Sequence, residues 1–362
     1  MVKAIRFFFS VLLMMIYSSA FGSEPEYDTI NHTQTESLDL KSSIKEQINH
    51  HLQDSHDFHL FSDETTGKHY GFPLPVILWD DGLHVFMSSE FHHGETVVQS
   101  DEKFYTLNHG KIYKTDAEGT VNYDAEHHHV INEKPLDFSI TKNVFMIFFV
   151  GLLLFLMLRS TARSYKKRGD LPSGIGRFLE PIIVFVREDI AKPNIGAKHY
   201  KKYMSFLLTV FFFIWLVNLF GLTPIGVNIT NNIAVTFALA VMTYLITTFT
   251  AKKDYWKHIF WMPGVPVPMK VVLAPIELLG TIIKPFSLMI RLYANITAGH
   301  IVIMSIIGMM FVFQNWIGSS LSFILALVLG ILELLVAALQ AYIFTMLSAL
   351  YFGSAVEEHD HH

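Results

Sequence analysis

Hydrophobic and polar positions divide the chain into three stretches. A short apolar run spans Phe7 to Tyr17, a polar segment reaches to about residue 140, and five apolar runs follow. Asn143–Leu158, Tyr203–Leu222 and Ile233–Thr250 approach the ~20 residues a helix needs to cross a bilayer. Residues 271–313 and 317–352 are each too long for one perpendicular crossing, which predicts long tilted helices joined by a turn at Phe313–Gly318. Between the first two spans, Phe178, Ile182, Phe185 and Ile190 recur at near-helical spacing, with Arg177, Arg187, Glu188 and Asp189 among them. That pattern predicts an interfacial helix over Ile175–Ile190, with Pro181 and Pro193 bearing on its ends. In the polar segment, Phe72–Trp79 and Leu83–Met87 read as short strands, and Thr96–Val121 alternates weakly. The predicted fold class is an all-α polytopic membrane protein with about five membrane-spanning helices plus an interfacial helix, ending in a long tilted helical hairpin. A small, mainly β or irregular N-terminal extracytoplasmic domain precedes it. Core helices of a soluble protein are the competing reading, and five such runs in 220 residues argue against it.

The first apolar run is preceded by Lys3 and Arg6 and followed by Ser18, Ser19, Ala20, Gly22 and Ser23. A basic start, a stretch too short to span and a small-residue exit predict a signal peptide over residues 1–22. An uncleaved anchor is the alternative. Both place residues 23–140 outside the cytoplasm. Loop charges agree, because cytoplasmic loops hold the excess of basic residues. Residues 159–202 carry 11 Lys and Arg and residues 251–270 carry four, whereas 223–231 and 312–319 carry none. The expected organisation is therefore a periplasmic N-terminal domain, a transmembrane domain over 141–356 and a cytoplasmic tail over 357–362.

Charged residues make up 16% of the chain, against about 25% in ordinary soluble domains. The absence of cysteine excludes disulfide scaffolds, cysteine-ligated metals and thiol catalysis. Residues 24–142 hold 22 Asp and Glu against 8 Lys and Arg, while residues 143–362 hold 10 against 17. Thirteen of the 19 histidines lie between residues 24 and 140, including His50-His51, His92-His93 and His127–His129. Such tracts can bind zinc or copper. HExxH is missing, and a solvated polar surface is the plainer reading.

The last two runs contain Glu277, Lys284, Arg291, Asn295, His300, Glu333 and Gln340. Ionisable groups at the bilayer centre are costly and usually functional. Glu277, Lys284 and Arg291 stand seven residues apart, nearly two turns, and share a face. Glu277 and Lys284 can also snorkel from a helix end, and Asn295 and Gln340 can simply join helices. Arg291 is about 20 residues from each end of its run, too far to snorkel. Counted from residue 316 in the turn, Arg291 is 25 residues before and Gln340 24 after; His300 is 16 before and Glu333 17 after. In an antiparallel hairpin both pairs match in depth, with Arg291–Gln340 deeper by about 10–13 Å. Histidine titrates near neutrality, so it can exchange protons with a buried carboxyl group. A buried salt bridge is the alternative. A guanidinium stays charged, can make a mobile carboxylate release its proton, and repels a proton leaking straight through. Nothing in the chain obviously supplies that carboxylate, which points to a partner.

At these residues the chain resembles subunit a of the F-type ATP synthase membrane sector. Pro285-Phe-Ser-Leu-Met-Ile-Arg-Leu-Tyr-Ala-Asn-Ile-Thr-Ala-Gly-His300 is similar to that family's signature, an arginine with Asn at +4 and Ala-Gly at +7 and +8. Glu277 and Lys284 fit its upstream pattern; Asn218–Pro224, Gln340–Phe344, Tyr351 and Glu357–His359 resemble further parts. The likeness covers about residues 140–359. It implies that Arg291 faces the carboxylate of a rotating c-ring, reached by two half-channels. Asn295, His300, Glu333 and Gln340 would line the outer one, and Glu277, with Lys284 nearby, the inner one. It implies peripheral-stalk b subunits as further partners, a bacterial inner-membrane location, and no cofactor, metal, nucleic acid or bond chemistry of its own. In many bacterial members the acid and the imidazole at positions 300 and 333 are exchanged; a double exchange keeps the pair. The domain over 23–140 is longer than the family's usual outer tail. Two other classes stay open. A secondary transporter could bind an anionic substrate at Arg291, though no internal repeat is visible. An intramembrane metalloenzyme would need clustered ligands, and His300 is the one histidine in the spans.

Overall fold

The computed structural model describes residues 54–63, 68–124, 130–168, 174–223, 227, 229–262, 264–312 and 316–357. The expected signal peptide and the end of the tail lie outside the described residues.

The N-terminal domain is built from short strands, as the alternating segments predict. β1 (Asp57–Asp63) pairs with β2 (Lys68–Pro73). β3 (Pro75–Trp79) lies between β4 (Leu83–Met87) and the two-residue β8 (Leu136–Asp137). β5 (Val98–Ser100), β6 (Lys103–Asn108) and β7 (Lys111–Thr115) form a third antiparallel sheet. Val76, Leu78, Phe86, Phe91, Val98, Tyr105 and Ile112 make a small core. Its charges are satisfied: buried Asp80 meets Lys103 Nζ at 3.0 Å and Lys114 Nζ at 2.7 Å and accepts from the Tyr105 hydroxyl at 3.2 Å.

This domain is fastened to the first long helix, α1 (Lys142–Arg168). Asp54 accepts from the backbone N–H of Asn143 at 3.2 Å and from the Thr141 hydroxyl at 3.0 Å. A carboxylate there satisfies free donors at the helix start and faces its positive dipole end. Phe58 and Phe72 stack at 4.8 Å, and both pack edge-on against Phe145 of α1. Buried His56 bonds Asp137 at 2.9 Å. Burial pulls the imidazole down, but Asp137 beside it outweighs that and raises it above its ordinary value. Asp137 moves the opposite way: burial pushes its carboxyl up, and the bond from His56 brings it below the ordinary range.

Beyond α1 come α2 (Ile175–Phe185), α3 (Lys192–Ile195), α4 (Tyr200–Gly221), α5 (Ile233–Thr250), α6 (Lys253–Phe260), α7 (Val267–Val312) and α8 (Trp316–Val356). Five of them, α1, α4, α5, α7 and α8, are long and apolar enough to cross a membrane. At about 1.5 Å per residue, the 46 residues of α7 and 41 of α8 far exceed the ~30 Å hydrocarbon thickness. They must tilt or run beyond it.

One element differs from its expectation. The helix expected over 175–190 is unbroken but is not α-helical to its end. α2 ends at Phe185, a π turn spans Val186–Ala191, and α3 follows. Pro181 lies inside α2 and Pro193 inside α3, and each lacks the N–H that the helical ladder uses. The wider turn between them buries Val186, Ile190 and Ala191, so this segment braces the bundle as well as lying beside it. α3 abuts the end of α8 at Gly353, where an added Cβ would collide with the Asn194 carbonyl. The main core centres on α4, whose Leu207, Phe212 and Ile214 are fully buried, and Tyr203 of α4 stacks on Phe352 of α8 at 4.6 Å. α6, in the basic loop after α5, has no counterpart among the sequence expectations.

Candidate functional site

The antiparallel hairpin of α7 and α8 brings His300 and Glu333 together, with Nε2 3.6 Å from Oε1. Both side chains are buried. The glycine before the histidine makes room, because a Cβ on Gly299 would come within 2.8 Å of Glu333 Oε1. Both Glu333 carboxyl oxygens are buried without a hydrogen-bond partner among the described residues. A separation of 3.6 Å is beyond a hydrogen bond. A buried carboxyl group without donors is costly. Such a carboxyl group is a poor structural staple and has room in its hydrogen bonding for a proton or a water.

Nine residues before His300, Arg291 is half-buried, and its guanidinium makes no hydrogen bond or ion pair to the described residues. It lies near enough to Tyr351 to act electrostatically on that hydroxyl. Gln340 is buried but is not bonded to Arg291, so the hairpin joins one of the two depth-matched pairs and leaves the other apart. Asn295, one turn beyond Arg291, is exposed. The outward side of α7 bears Ile276, Leu279, Ile283, Phe286 and Ile290, each at least half exposed and spaced alternately three and four residues. Leu321, Ile324, Val328, Ile331 and Leu335 repeat that spacing on α8. Apolar seams at this period suit packing against further helices.

Two polar groups flank the arginine along the line of contact between α5 and α7. Toward the N-terminal domain, Thr297 donates to Asn231 Oδ1 at 2.5 Å, and Thr230 donates to Asn218 Oδ1 at 3.0 Å. The Asn218 amide nitrogen is buried and unpartnered among the described residues. Sixteen residues along each helix in the other direction, Thr247 and Thr281 line one cleft with Thr243, Tyr255, Lys284 and Tyr351. Lys284 Nζ lies 5.4 Å from the Tyr351 ring centre, a cation–π distance. Glu277 is half-buried and acts electrostatically on Tyr255. The sequence reading missed Asn231 and Thr297. Asn231-Asn232 opens a span and reads as a helix cap, and Asn232 does cap α5 by accepting from Ala234 N–H at 2.9 Å. Its neighbour's turn toward α7 has no sequence signal.

Fold and site together define a polytopic membrane protein with ionisable groups buried inside its spans. Residues 144–353 match the family model for the ATP synthase A chain, and residues 47–138 match a domain of unknown function, DUF8433. The chain is 42% identical over 232 residues to ATP synthase subunit a of Chloroherpeton thalassium, covering 62% of this chain and 69% of that protein. It is 43% identical over 234 residues to ATP synthase subunit a 2 of Chlorobaculum tepidum, covering 62% and 66%. With ATP synthase subunit a of Chlorobium phaeobacteroides strain DSM 266 the identity is 41% over 304 residues, covering 80% and 86%. The chain therefore belongs to the ATP synthase A chain family, subunit a of the F-type ATP synthase.

Proposed function

We propose that this chain is the stator channel of the membrane sector, carrying protons to and from a rotating c-ring through two half-channels. The observation that carries this reading is buried Glu333, 3.6 Å from His300 and with no hydrogen-bond partner for either carboxyl oxygen among the described residues, on the same hairpin as an arginine that meets no carboxylate among them. Protons enter from the side of the N-terminal domain, past Asn218, Asn231 and Thr297, to Glu333 and His300, with Asn295 and Gln340 along the way. Arg291 attracts the ring's carboxylate across the exposed seams of α7 and α8 and makes it release its proton, since a fixed positive charge favours the ionised form. The same charge blocks a direct leak between the two half-channels. On the other side, Glu277 and Lys284 border the cleft lined by Thr243, Thr247, Thr281 and Tyr255, through which the proton leaves.

In this reading the chain performs no bond chemistry and couples proton flow to rotation, with peripheral-stalk b subunits holding it still. The excess of basic residues in alternate loops supports a periplasmic N-terminal domain and a cytoplasmic C-terminus in a bacterial inner membrane. Residues 1–22 serve as signal peptide, 23–140 as outer domain and 141–356 as channel.

The test is ATP-driven acidification of inverted membrane vesicles bearing the whole complex, comparing wild type with Arg291→Ala. Pumping is expected to vanish while the complex remains assembled. Pumping near the wild-type level would overturn the assignment and revive an anion transporter built on Arg291.

A further inference from the structure

α6 begins two residues after the span α5 ends and stops six residues before α7 begins. Both of its ends are therefore held at the edge of the hydrocarbon. Its residues sort into faces by the four-residue helical repeat. Tyr255 and Ile259 point inward: Ile259 is buried, and Tyr255 lines the cleft with Thr281 and Lys284. The opposite side carries Lys253 and Lys257, both exposed, with Trp256 and Phe260 beside them. Those two rings stack with centres 6.2 Å apart. Trp261 follows, and Lys270 Nζ lies over its ring at 4.5 Å. Phe260 and Trp261 are each 52% exposed. Water would leave these rings unburied, and hydrocarbon would leave two ammonium groups unsolvated. The headgroup layer between them suits both, because tryptophan rings settle there and lysines of an amphipathic helix reach the phosphates.

Charge selects the lipid. Residues 251–270 carry four lysines against the single acid Asp254, and residues 198–202, where α4 begins, add three lysines and no acid. The two segments meet: Lys252 Nζ lies 3.2 Å from His199 Nε2, and the Tyr203 hydroxyl bonds that of Thr250 at 2.7 Å. Two further acids stand near. Glu277 acts electrostatically on Tyr255, on the inward face. Glu357 lies two residues beyond Ala355, whose carbonyl accepts from Lys252 N–H at 2.9 Å. Lys253 and Lys257 form no ion pair with any of these acids among the described residues. A zwitterionic headgroup brings its own cation to its phosphate. An anionic headgroup does not, and is the better complement to two lysines without a carboxylate.

We infer that the outward face of α6 is a binding site for an anionic phospholipid. Lys253 and Lys257 take its phosphate, and Trp256, Phe260 and Trp261 lie against the upper part of its acyl chains. The choice of the cytoplasmic leaflet rests on the orientation proposed above; the lipid class does not, and neither depends on the proton route.

The chain has no cysteine, so a single introduced thiol is unambiguous within it. Asp254→Cys sets that thiol beside the lysines and removes no positive charge. The purified complex is labelled with a benzophenone maleimide, placed in nanodiscs of equal phosphatidylglycerol and phosphatidylcholine, and irradiated. Adducts at position 254 are read by mass spectrometry. Phosphatidylglycerol adducts are expected to exceed phosphatidylcholine adducts at least about fivefold, the scale one lysine contributes at an anionic surface. Adding Lys253→Gln and Lys257→Gln, both at exposed positions, is expected to bring the ratio close to one. Equal adducts to the two lipids with both lysines present overturn the inference, as does a ratio indifferent to their removal. So do adducts mainly to another subunit or to this chain's own residues 357–362, which would mean that protein covers the face. None of these outcomes is read from pumping, so failure here leaves the channel assignment to its own test.

Discussion

Two of the histidine–carboxylate pairs among the described residues, one in the N-terminal domain and one in the hairpin, are made from the same chemistry and held differently. In the N-terminal domain, His56 and Asp137 are hydrogen-bonded at 2.9 Å, and Ser139 N–H supports the same carboxylate at 2.8 Å. In the hairpin, His300 and Glu333 stop at 3.6 Å, and neither carboxyl oxygen of Glu333 has a donor among the described residues. The contrast extends to isolated charges. Asp80 is gripped by two lysines, while Arg291 meets no carboxylate among the described residues. A satisfied pair fixes a structure, because breaking it leaves a buried charge uncompensated. A buried carboxyl group without donors, as at Glu333, keeps unused capacity for a hydrogen bond or a proton.

Neutralising each pair should therefore have unequal effects. Glu333→Gln removes the exchangeable proton and keeps the shape, and ATP-driven pumping is expected to fall at least about 100-fold, the scale of a lost proton-transfer group. His56→Ala should leave pumping per assembled complex unchanged in the same vesicle assay. A smaller effect is expected from Gly299→Ala, whose Cβ would press on Glu333 Oε1. The carboxyl end can swing aside, so the protein should assemble. Displacing it from His300 should slow pumping about tenfold, equivalent to about 1.4 kcal/mol on the barrier.

The hairpin pair was legible in the sequence because helix geometry is regular: counting residues from the turn at 316 put His300 and Glu333 at one depth. The five spans were legible because a bilayer allows few lengths and compositions. The fastening of the two regions was not. Asp54 capping α1 and His56 meeting Asp137 join residues more than 80 positions apart, and no periodicity encodes that. The π turn at Val186–Ala191 was hidden too, because its apolar spacing imitates a continuous α-helix. Asn231 reaching Thr297 depends on how α5 and α7 lie together.

The smallest expected effect concerns the fastening. His56, facing Asp54, Asp57 and Asp137, is raised in the folded domain. Its contribution is fully present below the unfolded value of about 6.5 and is lost as pH rises through the raised folded value. Asp137 is lowered. Its contribution is present above about 3.9 and is lost only as pH falls through the lowered folded value. The clasp is thus strongest in mildly acidic solution. Hydrogen exchange of residues 54–63 and 130–142 in the purified complex should quicken as pH rises from 6 to 9, after correction for intrinsic rates. His56→Ala should flatten that dependence and cost about 1–2 kcal/mol of local stability.

The central claim is that His300 and Glu333 act as one proton-exchanging pair. It is tested most directly by exchanging them. ATP-driven acidification per assembled complex is compared for His300→Glu, Glu333→His and the double exchange in inverted vesicles. Each single variant leaves two acids or two imidazoles and should pump poorly. The double variant restores one of each and should pump at least about tenfold better than either single, a coupling of about 1.4 kcal/mol. A double variant no better than the singles would contradict the account.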